Sequence, residues 1–134
     1  MAKENLLSFR DNYLGSRFRK ATSDLYFGLE HTAKALLISI GVYPETHKGV
    51  SRMLSYHFVR PGTIPLHVVI HLDNLYERRK TAEYSSKAGW EFTKEQIDTY
   101  MEWVRGSVRI IIEELKKTIE HESLKDLEKL ITQL

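Results

Sequence analysis

Three features of the sequence predict an all-α protein, an antiparallel up-and-down bundle of four main helices with short terminal helices. Apolar residues recur at steps of three and four through most of the chain. No stretch alternates apolar and polar residues as a half-buried strand would. The three prolines, Pro44, Pro61 and Pro65, all lie in the first half and leave the second half open to long helices.

The first helix is expected from about Ala2 to Leu14, with Leu6, Leu7, Phe9, Tyr13 and Leu14 on its apolar side. Gly15-Ser16 interrupts it, and Ser16 is a candidate N-cap for the next helix. That second helix should run from about Arg17 to Ile40. Leu25, Leu29, Ala33, Leu36, Leu37 and Ile40 mark the stripe it turns to a core, and Gly41 suits the C′ position that closes it. A loop over Val42–His47 leads to a third helix, about Lys48 to Val59, presenting Val50, Leu54, His57 and Phe58. Pro61-Gly62 ends it, because proline cannot continue the hydrogen-bond ladder.

Pro65 fits the first turn of a fourth helix whose apolar residues are Leu66, Val69, Ile70, Leu72, Leu75 and Tyr76. It should fade near Tyr84, and the polar stretch Ser85–Phe92 reads as a connection. Thr93-Lys94-Glu95-Gln96 is a capping box. It opens the longest helix, with a seam through Ile97, Met101, Val104, Val108, Ile111, Leu115 and Ile119. A second start at Ser123, followed by Leu124, Leu127, Leu130 and Ile131, predicts a short C-terminal helix or arm.

The 134 residues make one domain, 1–134, the simplest organisation. A chain of this size buries roughly two-thirds of its unfolded surface, enough for a core without staples. No cysteine is present, which removes disulfides and thiolate metal sites. Formal charge is only +2, though Lys and Arg outnumber Asp and Glu by 9 to 5 over residues 1–60 and fall short by 11 to 13 over 61–134. So modest an excess does not announce nucleic-acid binding by itself. The longest apolar run, near Ala35–Ile40, is too short to span a bilayer. The opening residues lack the apolar centre of a signal peptide, and a cytoplasmic location is expected.

Several motifs occur in an informative order. The second helix contains Tyr26-Phe27-Gly28-Leu29-Glu30-His31-Thr32-Ala33-Lys34-Ala35-Leu36-Leu37. Gly41 and Thr46-His47-Lys48-Gly49-Val50 follow, then Leu75-Tyr76-Glu77-Arg78-Arg79-Lys80-Thr81-Ala82-Glu83-Tyr84, and a helix start at Thr93. In this order the segments resemble the HEPN family of small helical-bundle proteins of bacteria and archaea. The resemblance covers nearly the whole chain.

The resemblance implies a helical bundle that dimerises, so that two copies contribute to one cleft. Many such proteins are metal-independent ribonucleases with Arg-x-x-x-x-His near the end of the third long helix. There a histidine acts as acid or base on a ribose hydroxyl and the arginine holds the scissile phosphate. Arg79 matches that arginine, but Tyr84 stands in the histidine's place, and a phenol with a pKa near 10 is a poor base at neutral pH. The resemblance therefore points to a nucleotide- or RNA-binding homodimer without the standard nuclease motif. Its expected setting is a toxin–antitoxin system, with a minimal nucleotidyltransferase as possible partner. A relocated histidine, His31 or His47, would restore a ribonuclease, and a protein-interaction module is the third reading. No cofactor and no membrane partner is expected.

The candidate binding residues are Arg78, Arg79, Tyr84, Tyr76, His31, His47 and Lys48. Each has a plainer reading. Arg78-Arg79-Lys80 suits phosphate contact, joined by Arg17, Arg19 and Lys20, or is a solvated face. Tyr76, Tyr84 and Trp90 offer stacking faces for bases, or plug helix ends, and Trp103 suits core or dimer interface. His31 is either a satisfied core histidine or a wall of the groove beside Tyr26 and Arg79. His47, followed by Lys48, either faces a phosphate at a helix start or caps its own turn. Arg52 and His57 repeat the Arg-x-x-x-x-His spacing, yet five residues turn a regular helix by about 140° away from a shared face. His67 and His71 have the i, i+4 spacing of a zinc pair but lack a third ligand on their face, so a helix boundary is the plainer role.

Overall fold

The computed structural model describes residues 2–15, 17–84, 92–117 and 122–134, and these are all-helical, with no strand among them. Among the described residues six α-helices follow in order: α1 (Ala2–Leu14), α2 (Phe18–Ile38), α3 (His47–Leu54), α4 (Leu66–Tyr84), α5 (Lys94–Leu115) and α6 (Glu122–Gln133). A π turn, Ser55–Val59, extends α3.

Cross-helix contacts set the topology. Leu6 of α1 meets Gly28 of α2, while Asn12 bonds Asp24, so α1 and α2 run antiparallel. Tyr26 meets Tyr76 and Arg19 reaches the carbonyl of Ala82, so α2 and α4 are antiparallel too. Arg78 lies over Tyr100 and His71 over Trp103, which makes α4 and α5 a third antiparallel pair. Helix α2 is the centre and touches α1, α3, α4 and α5. Its residues Leu25, Tyr26, Leu29, Ala33, Leu36 and Leu37 are almost wholly buried. Helix α6 closes one flank, tied to α1 by Lys3 and Asp126 and to α5 by Lys116 and Glu128.

Helix ends follow local chemistry. Gly41 takes φ +80°, Gly41 N–H donates to Ile38 O at 2.9 Å, and Val42 N–H donates to Leu37 O at 3.0 Å. That is the Schellman closure of α2 expected from the glycine. The Thr93–Gln96 capping box forms in both directions at 3.2 Å. At the start of α2, Arg17 occupies the N-cap position without a side-chain cap bond, and the expected cap residue Ser16 lies outside the described residues. The third helix is regular only to Leu54, and the π turn brings Phe58 into the core beside it.

Some apolar residues face outward, contrary to expectation. Leu66 and Ile70 of α4 are half exposed, while Val68, Leu72 and Leu75 form the buried i, i+4, i+7 stripe. Leu14 and Ile40 are likewise exposed, each beside a helix end where the stripe runs off the core. The seam of α5 is buried at Ile97, Val104, Val108, Ile111 and Leu115, and Met101 is partly buried against it. Ile119 and Trp90 lie outside the described residues.

Candidate nucleotide-binding furrow

His47 is the first residue of α3, positioned by Thr46, whose hydroxyl caps the helix by accepting from Gly49 N–H at 3.0 Å. From there its ring reaches two other helices. Nε2 lies 3.0 Å from Asp73 Oδ1 on α4, and Nδ1 lies 2.9 Å from the Tyr26 hydroxyl on α2. An ionised carboxylate only accepts, so Nε2 carries the proton toward Asp73, and the Tyr26 hydroxyl lies between Nδ1 and the Glu30 carboxylate. The ring lies flat on Tyr76, centroids 3.9 Å apart and planes within 7°. Three helices are thus pinned at one imidazole.

Tyr26 is 1% exposed and closes the inner side of the cluster. Burial first, then the Glu30 carboxylate one turn along α2, pushes its phenol far above the ordinary value, so it remains a neutral donor. Glu30 is itself buried and pairs with Lys34 at 3.3 Å.

The basic triplet of α4 fans out, because consecutive helical residues point about 100° apart. Arg79 stacks over Phe27 at 4.9 Å and Tyr26 at 5.9 Å, so its guanidinium lies across α2. Lys80 sits over Tyr76 at 4.9 Å and pairs with Glu77. Arg78 points elsewhere, over Phe92 at 4.7 Å and Tyr100, with Arg19 also over Phe92. Arg79, Lys80, Tyr76 and His47 therefore gather, and Arg78 does not join them. Arg17 is bonded to Asn12 and to the Asp11 carbonyl, away from this cluster.

His31 sits beside Phe27, rings 6.2 Å apart, so Phe27 carries Arg79 and His31 together. Burial, then Lys34, holds its imidazole below the ordinary value. Tyr84 is the last residue of α4, and its side chain lies outside the described residues.

Between α3 and α4 a surface groove of about 440 Å³ opens onto His47 and Tyr76. Lys48, Ser51 and Arg52 form its α3 wall, and Asp73 and Glu77 its α4 wall. Arg52 belongs to this groove, whereas His57 meets Tyr56 edge-on at 4.9 Å. A larger depression, about 700 Å³, lies between α5 and α6 but has no aromatic lining.

His67 and His71 have ring centroids 5.5 Å apart, and His71 lies flat on Trp103 at 4.6 Å. That places His71 and Trp103 at the α4–α5 boundary, with His67 exposed one turn away on α4. Among the described residues no group of three or more His, Cys, Asp or Glu is disposed to hold a metal ion. None of their helices is long and apolar enough to cross a membrane.

A family model described as HEPN domain matches residues 1–118, spanning α1 to α5. The chain belongs to the HEPN domain family. Curated relatives of this HEPN protein include a Methanocaldococcus jannaschii protein named "Putative toxin MJ0605", 24% identical over 121 residues, 90% of this chain and 84% of that one. A second protein of that organism, "Putative toxin MJ0142", is 27% identical over 96 residues, 71% of this chain and 64% of its own length. A Thermotoga maritima "UPF0332 protein" is 26% identical over 104 residues, 75% of this chain and 77% of that one.

Asp73 and Phe27 were not among the candidate site residues, while Tyr26 entered only as a neighbour of His31 and Arg52 only through its spacing to His57. Asp73 shares an α4 face with Tyr76, Glu77 and Lys80, a stripe visible at steps of three and four. The Tyr26 link to His47 spans 21 residues and has no local signal.

Proposed function

We propose that this HEPN protein binds nucleotides or RNA at the furrow around Arg79, as a member of a toxin–antitoxin system. Lys48 and Arg52 in the groove that opens onto the His47–Tyr76 stack, with Lys80 over Tyr76 and Arg79 over the neighbouring Tyr26, carry the reading. Cations beside aromatic planes suit phosphate contact with adjacent bases. The toxin names of two relatives support the system-level part. A minimal nucleotidyltransferase is the proposed protein partner, and a homodimer the proposed state.

Strand cleavage is not part of this reading. His47 already uses both ring nitrogens, and Arg79 lacks a histidine five residues on. A ribonuclease would draw its base from His31, whose lowered pKa keeps it neutral at pH 7. Incubation with total RNA in chelator separates the two: intact RNA at high protein concentration is expected, and cleavage lost in His31→Gln would establish the nuclease instead. For binding itself, a mixture of short RNAs and nucleotides should raise the melting temperature. No shift at saturating ligand would remove the proposal.

A further inference from the structure

The groove between α3 and α4 has two unlike walls. Lys48 and Arg52 make one cationic, and Asp73 and Glu77 make the other anionic. A pure phosphate site has no use for carboxylates, which repel the ligand. A nucleotide is dipolar in a way that fits: a phosphate at one end and base N–H donors at the other.

Asp73 is the better placed carboxylate. His47 holds it through Oδ1, yet it is 49% exposed, so its remaining acceptor capacity faces solvent. A carboxylate offers about four lone-pair sites, of which His47 takes one. Glu77, one turn further on, is 67% exposed and shares one oxygen with Lys80.

Base chemistry then discriminates. Guanine presents two adjacent donors on its Watson–Crick edge, N1–H and the N2 amino group, and a carboxylate accepts both. Adenine and cytosine pair their amino group with a bare ring nitrogen, and uracil flanks its N3–H with two carbonyls. Each sets an acceptor against the carboxylate, which costs affinity. We infer that the α3–α4 groove takes a guanine nucleotide unit, its base edge read by Asp73 and its phosphate held by Lys48 and Arg52. This rests on the nucleotide-binding reading and specifies its base.

The test is equilibrium binding of the trinucleotides UGU, UAU, UCU and UUU to the full chain. UGU is expected to bind about tenfold more tightly than the other three, the scale of one bidentate base contact. Asp73→Asn keeps an oxygen for His47 Nε2 but replaces the other with an NH2 donor, so it should weaken UGU about tenfold without weakening the rest. Equal binding of all four by the unaltered protein overturns this inference alone and leaves nucleotide binding standing. No binding of any of them overturns both. An UGU preference that survives Asp73→Asn overturns the assignment of Asp73.

Discussion

His47 and Tyr76 lie ring on ring, 3.9 Å between centroids and 7° from parallel, although they come from different helices. The contact is possible because α3 begins at His47, beside the outward face of α4. The same imidazole bonds Tyr26 and Asp73, so its position is set from three sides.

His47→Ala should therefore destabilise the bundle as well as alter the furrow. It removes two hydrogen bonds and leaves the buried Tyr26 hydroxyl without its imidazole partner. A loss of about 1–3 kcal/mol is expected in urea unfolding. Tyr26→Phe, which keeps the ring contacts, should lose only about 0.5–1.5 kcal/mol.

Arg79→Ala should weaken RNA binding about tenfold, the scale of one charge-assisted contact. Arg79→Lys should recover only part of it. Lysine keeps the charge but not the planar group that stacks over Phe27. Fluorescence anisotropy on the three proteins checks the order.

Acid should destabilise the fold through two partly buried histidines. Burial holds His31 and His71 below their ordinary 6.5, aided by Lys34 and His67 respectively. Below pH 6.5 the unfolded chain takes up these protons first, so the stability present above that pH is lost as pH falls through the lowered folded values. Asp24, raised by burial, acts in the opposite direction only in the more acid carboxylate range. The melting temperature should fall between pH 7 and 5.5. His71→Phe, which keeps a ring against Trp103, should flatten that fall.

Thr93→Ala removes the capping box and should cost about 1 kcal/mol. Gln96→Ala should cost less, since it leaves the Thr93 hydroxyl bonded to the helix. Chemical denaturation of both variants gives the comparison.

Much of this fold was legible in the sequence because local rules act there. Gly41 and Thr93 marked helix ends through short-range geometry, and the period of α5 named most of its buried residues. Ile70 and Leu66 misled because an apolar side chain does not reveal which neighbour covers it. The site was legible in its members more than in its arrangement. Arg79, Tyr76 and His47 stand out by residue type and order. That Arg78 turns away to Phe92 follows from helix rotation and from where α5 packs. Asp73 was hidden because its meaning depends on His47, 26 residues earlier.

RNA is proposed to meet the protein beside Arg79 and the His47–Tyr76 stack. The most direct test is an NMR titration of the labelled protein with a short RNA, following backbone amides and arginine side chains. Shifts concentrated at Arg79, Lys80, His47, Lys48 and Arg52 are expected. Shifts confined to the α5–α6 face around Arg109 and Lys129, or none at saturating RNA, would contradict it.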